Sequence, residues 1–183
     1  MNDLMGLIYT GDNGERLGEL TAVRAVAALP VLARYRVIDF VLSSLVSSGA
    51  HNVGIILQKN YSSLIDHLGS GKEWDLHRKR DGLFILHPFV TKDSTGVYRG
   101  TVDAIRGVLG YVRRSSQRYV ILTGSHTIYN TTFKEMLRRH IETGAEYVTG
   151  PDCSCLMHMA GVAKKRGLEI QFIHAVEILA AGL

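Results

Sequence analysis

A glycine-bearing loop follows the first apolar segment of the chain. Residues 7–9 (LIY) have the composition of a buried strand, and residues 10–17 (TGDNGERL) follow at once. A strand that breaks into a glycine turn can direct its backbone N–H groups toward a phosphate. Gly-x-x-Gly after a strand is also an ordinary turn, so this loop alone leaves both interpretations open.

Two other polar groups follow predicted strands. Gln58 comes after the apolar run at 52–57, and Gly124-Ser125-His126 comes after the run at 119–122. Ligands of parallel sheets collect at the carboxyl ends of the strands, so we expect the glycine loop and both polar groups at one edge. From the residues alone, the preferred interpretation of Gln58 is a surface glutamine at a strand end, and that of His126 is a residue that caps or packs beneath its loop.

The two cysteines of the chain are Cys153 and Cys155, and His158 follows three residues later. One Cys-x-Cys pair is not a disulfide framework, so we expect reduced thiols. Thiolate and imidazole suit zinc, but a closed structural site usually needs four ligands. We therefore predict at most substoichiometric zinc.

Short apolar runs alternate with helical spacing along the chain, and this pattern predicts the elements that position these groups. Helices are predicted over 37–48, 61–68, 101–112 and 133–141, and strands over 7–9, 52–57, 83–86, 119–122 and 145–148. Repeated strand–helix–strand order favours an α/β fold with a mostly parallel sheet between two layers of helices.

The composition is that of an ordinary globular domain: 183 residues, 46% hydrophobic and 21% charged. No signal-peptide pattern or membrane-spanning apolar run is present, so we expect a cytoplasmic protein with no membrane partner. The net charge is +4. Because the basic residues lie in three short groups without interleaved aromatic residues, we expect a solvated surface and no nucleic-acid partner.

Six motifs in one order carry a family resemblance. They are residues 8–17, RYRVIDF at 34–40, SG at 48–49, HLGSGKEWDL at 67–76, RGTVDA at 99–104 and TGSH at 123–126. Over residues 4–148 the chain resembles the N-terminal domain of bacterial ADP-glucose pyrophosphorylase (glucose-1-phosphate adenylyltransferase), and is most similar to its GlgD-type regulatory subunit. That family makes ADP-glucose from ATP and glucose 1-phosphate, with Mg²⁺, for glycogen biosynthesis.

The resemblance implies a Rossmann-like nucleotidyltransferase fold with a degenerate nucleotide-binding site. The site residues that it implies are Gly11, Gly14, Arg16, Gln58, Gly100, Thr101 and Asp103. The resemblance implies that Gln58 lies against the nucleobase and that backbone groups of Gly100 and Thr101 contact the adenine edge.

Three departures from the family pattern concern phosphate and metal. Asp12 replaces a glycine of the phosphate loop, Ser125 replaces an aspartate that helps to hold Mg²⁺, and Val26 replaces a lysine. A carboxylate 4 Å from a phosphate charge costs about 4 kcal/mol at an effective dielectric of about 20, an upper guide for an exposed loop. A serine hydroxyl is a poor ligand for a hard dication. We predict no catalytic residues, no resident metal cofactor, and no ADP-glucose formation by this chain alone.

The end of the chain has a different resemblance. Residues 143–179 are similar to the tail of the cysteine-rich CCG domain of iron–sulfur oxidoreductases of the lactate-utilisation and glycolate-oxidase type. The chain lacks the upstream Cys-Cys-Gly motif, so we expect no cluster. We predict a truncated nucleotidyltransferase-like domain at 1–148 and a tail at 149–183 that packs onto the same sheet. The tail should form a helix over 156–166 and a strand over 169–173, beside 119–122 or 145–148.

Two classes of function remain open. The first is a non-catalytic, regulatory or nucleotide-binding subunit of glycogen biosynthesis, with a catalytic ADP-glucose pyrophosphorylase subunit or an adenine nucleotide as partner. The second is a recombined or engineered α/β chimera without physiological activity. Co-purification with a catalytic subunit distinguishes them, and a redox role for Cys153 and Cys155 would require iron.

Overall fold

The computed structural model describes residues 3–11, 14–78, 81–88, 90–91, 94–95, 97–143, 147–150 and 171–174. Contacts within the chain divide it into two compact units, Met1–Lys134 and Glu135–Leu183. The helix predicted over 156–166 falls outside the described residues, as do Cys153, Cys155 and His158. The expectations for these residues stay predictions.

Ten strands and four α-helices lie in the described part of the chain. The strands are β1 (Leu4–Tyr9), β2 (Pro30–Val31), β3 (Tyr35–Arg36), β4 (Asn52–Ile56), β5 (Gly82–Leu86), β6 (Val90–Thr91), β7 (Ser94–Thr95), β8 (Tyr119–Gly124), β9 (Tyr147–Gly150) and β10 (Gln171–His174). The helices are α1 (Val37–Ser47), α2 (Ser62–Leu68), α3 (Thr101–Arg114) and α4 (Lys134–Thr143), with 3₁₀ segments at Gly14–Thr21, Val26–Ala28 and Lys72–Trp74. The 3₁₀ segments and the antiparallel pairs β2–β3 and β6–β7 were not predicted.

The first unit is built on a four-stranded sheet with the order β5-β4-β1-β8. All three strand pairs are parallel, and Ile8 in β1 lies opposite Ile55 in β4 and Thr123 in β8. Every residue of β1 is buried, as expected for a central strand covered on both faces. The predicted parallel sheet is confirmed.

Helices cover both faces of this sheet. On one face a core cluster joins the sheet to α3 through Leu7, Tyr9, Ile56, Ala104 and Val108. On the other face α1 packs so closely that a Cβ on Gly6 would stand 2.8 Å from Leu45 Cδ1. The apolar stripe of α1 is buried, as its helical spacing predicts. The result is the expected three-layer α/β arrangement.

A polar network fixes α3 at the amino end of β4, away from the strand ends where ligands collect. The Tyr111 hydroxyl donates to Asn52 Oδ1 (2.6 Å), and Asn52 Nδ2 donates to Gln117 Oε1 (2.9 Å). Gln117 Nε2 in turn donates to Asp81 Oδ1 (3.1 Å). Burial, with a smaller contribution from Asp81, raises the pKa of Tyr111 well above its usual range.

The second unit contains most of α4 and the strands β9 and β10. β9 and β10 pair in parallel, with Val148 opposite Phe172. The strand predicted over 169–173 therefore pairs with the strand predicted over 145–148, one of its two expected neighbours. Packing of the tail onto the four-stranded sheet stays a prediction. None of the described helices combines the length and apolar content needed to cross a bilayer.

Candidate functional site

A cleft of about 250 Å³ lies at the carboxyl ends of β1 and β4. This is the edge at which parallel α/β sheets bind ligands. The residues that decide its chemistry are Thr10, Gly11, Arg24, Val26, Gln58 and Lys59. The sequence placed the glycine loop and Gln58 together at this edge, and the structure confirms that placement.

The glycine loop is pinned to β4 where it leaves β1. The backbone N–H and the hydroxyl of Thr10 both donate to the carbonyl oxygen of Ile56, at 3.1 and 2.9 Å. At Gly11 a Cβ would stand 2.1 Å from the Tyr9 hydroxyl, so a side chain does not fit there without displacing the tyrosine. The backbone at Gly11 thus lines the cleft without a side chain.

Further along the loop, Gly14 and Arg16 lie in the 3₁₀ segment Gly14–Thr21. Asp12 is outside the described residues. Contact of Gly11, Gly14 or Arg16 with a phosphate therefore stays a prediction.

The amide of Gln58 is paired with the backbone of Tyr98. Gln58 Nε2 donates to the Tyr98 carbonyl oxygen (2.7 Å), and Gln58 Oε1 accepts the Tyr98 N–H (3.0 Å). A longer contact of 3.4 Å joins Nε2 to the Tyr9 hydroxyl. Gln58 thus holds the segment before α3 against the end of β4. Its predicted role against a nucleobase stays a prediction.

The start of α3 lies just beyond this pairing. Gly100 is the N-cap residue, and exposed Thr101 is the first helical residue. Asp103 Oδ2 accepts the N–H of Arg99 (3.1 Å), the residue before the N-cap, and so ties the incoming chain to the first turn of α3, a structural role that its prediction as a binding residue did not include. Gly100, Thr101 and Asp103 are not among the described residues that line the cleft, so their predicted role in nucleotide binding stays a prediction.

Tyr98 is the residue of this edge that sequence reasoning missed. Its ring packs on α3, where a Cβ at Gly107 would stand 2.7 Å from Tyr98 Cε1. Its hydroxyl oxygen is buried and has no hydrogen-bond partner within the described residues. Burial, assisted by Asp103, raises the pKa of Tyr98. The one sequence signal was its place directly before the motif at 99–104 that opens α3.

The position predicted to have lost its metal ligand is Ser125. It follows β8, whose last residue Gly124 lies opposite Tyr9, and so stands at the same sheet edge as the glycine loop. Ser125 is 0% exposed. His126 is exposed and places its ring beside Gly124. A buried serine at this point cannot supply the carboxylate that a hard dication prefers.

The cleft is lined by two cationic side chains that sequence reasoning did not assign to it. Val26 is 7% exposed, so the position of the missing lysine is apolar, but Arg24 and Lys59 both line the cleft. Asn60 fixes this arrangement through two hydrogen bonds. Its side-chain Nδ2 donates to the Ala22 carbonyl oxygen (3.2 Å), and its backbone carbonyl oxygen accepts the Ala25 N–H (3.0 Å). The adjacency of Lys59 to Gln58 was the available signal.

The described lining of the cleft is therefore positively charged. Among the described residues that line it, none is an aspartate or a glutamate. Mg²⁺ binds through oxygen ligands, above all carboxylates. The described donor set thus does not fit the Mg²⁺ that the family resemblance implies, whereas it does suit an anion.

A parallel sheet covered by helices on both faces, with a cleft at its carboxyl edge, defines an α/β domain of the doubly wound class. The nucleotidyl transferase family model matches residues 5–154, and the chain belongs to this family. The chain is 42% identical over 148 residues to the glycogen biosynthesis protein GlgD of Bacillus subtilis (strain 168), covering 79% of the chain and 42% of that protein.

Two other relatives extend the comparison. GlgD of Geobacillus stearothermophilus is 43% identical over 146 residues, which are 79% of the chain and 42% of that protein. The glucose-1-phosphate adenylyltransferase of Thermomicrobium roseum is 38% identical over 147 residues, which are 80% of the chain and 34% of that protein. The chain thus spans less than half the length of these relatives.

A solved structure agrees on the fold. A protein described as a glucose-1-phosphate thymidylyltransferase from Bacillus anthracis superposes with a TM-score of 0.61 at 18% identity, covering 81% of this chain and 56% of that one. The predicted family and fold class are confirmed.

Proposed function

We propose that this chain is a non-catalytic, GlgD-type nucleotidyl transferase domain of glycogen biosynthesis that binds an adenine nucleotide. The observation that supports it best is the charge of the cleft, where Arg24 and Lys59 stand without a carboxylate among the described lining residues. Ser125 stands at the degenerate metal position. The described lining of the cleft therefore attracts phosphate but offers no carboxylate to hold a catalytic metal ion.

The charges decide which form of the nucleotide binds. A cation 4 Å from a phosphate charge contributes about 1 kcal/mol in water and about 4 kcal/mol at an effective dielectric of about 20. Free ATP carries more negative charge than its magnesium complex. A cleft whose described lining offers two cations and no carboxylate should therefore bind free ATP at least as tightly as the complex.

Calorimetric titration of the chain with ATP, in EDTA and in excess MgCl₂, tests the proposal. We expect binding in EDTA that added Mg²⁺ does not strengthen. Arg24→Ala should weaken it about tenfold, which corresponds to about 1.4 kcal/mol. Arg113→Ala is the matched control, because it removes the same charge from an exposed position near the end of α3, outside the cleft. Equal affinity in both variants would contradict binding in this cleft.

A separate assay of pyrophosphate release tests for catalysis. The chain should release no pyrophosphate from ATP and glucose 1-phosphate. Magnesium-dependent release that is abolished in Gln58→Ala would overturn the non-catalytic assignment, even if ATP binding behaves as expected.

The partner in this proposal is a catalytic glucose-1-phosphate adenylyltransferase subunit. The chain is similar both to proteins named GlgD and to proteins named glucose-1-phosphate adenylyltransferase, so the two kinds of subunit share this domain. Co-expression with a tagged catalytic subunit should recover the chain in a defined stoichiometric complex. A chain that elutes as a monomer after co-expression contradicts the partner assignment.

A further inference from the structure

A second cavity, of about 570 Å³, opens beside α1 and shares no lining residue with the nucleotide cleft. Its walls come from the β2–β3 hairpin, α1, α2 and the 3₁₀ segment Lys72–Trp74. Its aromatic members are Tyr35, Phe40 and Trp74, and its charged or titratable members are Arg34, Asp39, His67 and Glu73. We call it the aromatic cavity.

One wall of the aromatic cavity is held by a buried carboxylate. Asp39 Oδ2 accepts the Arg36 N–H (2.9 Å) at the start of α1, and Oδ1 lies 2.6 Å from His67 Nε2. The His67 ring meets Trp74 edge to face, with centroids 6.0 Å apart. Asp39 thus orients His67, and His67 supports Trp74, so the wall is preorganised.

Another part of the lining belongs to a strained hairpin turn. Leu32 and Ala33 are consecutive non-glycine residues with φ of 49° and 68°. Such residues are uncommon, and strain of this kind collects at ligand clamps and switch regions. The turn presents Tyr35, 47% exposed, at the rim of the cavity, with its ring 6.4 Å from that of Phe40.

The lining excludes two classes of ligand. Asp39 and Glu73 would repel a phosphate, and the N-cap N–H of α1 is already bonded to Asp39. A purely apolar ligand would displace the water around Arg34 and Glu73 and offer these side chains no hydrogen bond in its place. Within the described part of the chain neither side chain has a hydrogen bond, although Arg34 stacks over Tyr35 at 5.8 Å.

A neutral ring with one apolar face and a rim of hydroxyl groups satisfies every feature of this lining. Its C–H face packs on aromatic rings, and its hydroxyls donate to carboxylates and accept from a guanidinium. We propose that the aromatic cavity binds a neutral oligosaccharide, with sugar rings against Tyr35 and Trp74 and hydroxyls bonded to Glu73 and Arg34. The site is separate from the nucleotide cleft, and its occupation does not require ATP binding.

The single tryptophan of the chain makes this site directly observable. Trp74 is that tryptophan, so intrinsic tryptophan fluorescence reports from the wall of the aromatic cavity. Titration of the full chain with maltotriose should change the emission saturably at millimolar sugar. A parallel titration with ATP should leave the emission unchanged and should not displace the sugar.

Substitutions in the lining test whether the sugar binds in the aromatic cavity. Tyr35→Ala removes the rim ring, and Glu73→Gln removes one carboxylate charge isosterically from an exposed position; each should weaken maltotriose binding about tenfold or more. Phe84→Ala is the matched control, because Phe84 is 41% exposed and does not line the cavity. The control should bind like the parent chain.

Three results would overturn the assignment: no saturable change with maltotriose, unchanged affinity in Glu73→Gln, or displacement of the sugar by ATP. Glu73→Gln keeps the test decisive if Tyr35→Ala fails to fold, because it preserves side-chain volume. Absence of ATP binding in the calorimetric experiment would remove the proposed nucleotide function and leave this inference standing.

Discussion

Gln58→Ala tests how the edge of the nucleotide cleft is held together. The change removes the donor to the Tyr98 carbonyl at 2.7 Å and the acceptor of the Tyr98 N–H at 3.0 Å. A typical hydrogen bond contributes about 0.5–1.5 kcal/mol net, and both bonds are partly buried. The free energy of unfolding should therefore fall by about 1–3 kcal/mol.

Urea unfolding measures that loss, and amide hydrogen exchange at Tyr98 shows where it arises. In Gln58→Ala the Tyr98 N–H loses its acceptor and should exchange much faster. The protection of amides in the interior of β4 should fall only as far as the global stability falls. Gln58→Glu is the matched control. Its carboxylate still accepts the Tyr98 N–H but cannot donate to the Tyr98 carbonyl, so stability should fall while that amide stays protected.

Equal protection of the Tyr98 amide in Gln58→Ala and in the parent chain would refute the pairing. The same measurement addresses the predicted base contact. If Gln58 turns its amide toward a nucleobase, saturating ATP must release Tyr98 and accelerate its exchange in the parent chain. Unchanged exchange at saturation would show that ATP binds without Gln58.

Four substitutions around α3 give further predictions. Tyr98→Phe should leave stability unchanged or raise it by up to about 1 kcal/mol in thermal unfolding, because its buried hydroxyl has no partner in the described residues. Tyr111→Phe should cost about 1–2 kcal/mol through Asn52. Folding raises the Tyr111 pKa above 10.0, so the contribution of the Tyr111 hydroxyl to stability is full below about pH 10 and is lost as the pH rises through the folded pKa. Urea unfolding at increasing pH should show this loss of stability in the parent chain and not in Tyr111→Phe. Gly110→Ala should stabilise the fold by about 0.5–1 kcal/mol, whereas Gly107→Ala should lose that gain against the Tyr98 ring.

The elements of the first unit could be predicted because their signals are local. Helix α1 carries a 3.6-residue apolar stripe that ends before Gly49, whose φ is 93°. Strand β4 is a short run of residues buried on both faces. The edge shared by the glycine loop and Gln58 then follows from parallel pairing alone. Periodicity and topology therefore fixed the place of the cleft.

The chemistry of the cleft edge could not be predicted in the same way. The Gln58–Tyr98 pairing joins residues 40 positions apart, and nothing local to either indicates it. Arg24 comes before the 3₁₀ segment Val26–Ala28, whose short period leaves no recognisable pattern. The left-handed Leu32 and Ala33 contradict the turn preferences of both residue types. Long-range hydrogen bonds and strained turns decide these features.

The fold and the proposed chemistry of this domain depend on different residues, so one can be kept while the other changes. The sheet is held by apolar residues of β1 and β4 and by Thr10, whose two hydrogen bonds to Ile56 do not involve a ligand. Val26 and Ser125 are both buried and so contribute to packing where a lysine and an aspartate would serve phosphate and metal. Neither replacement places a charge in the core, so the fold tolerates both. Under the proposed non-catalytic function, loss of catalysis therefore requires no loss of stability.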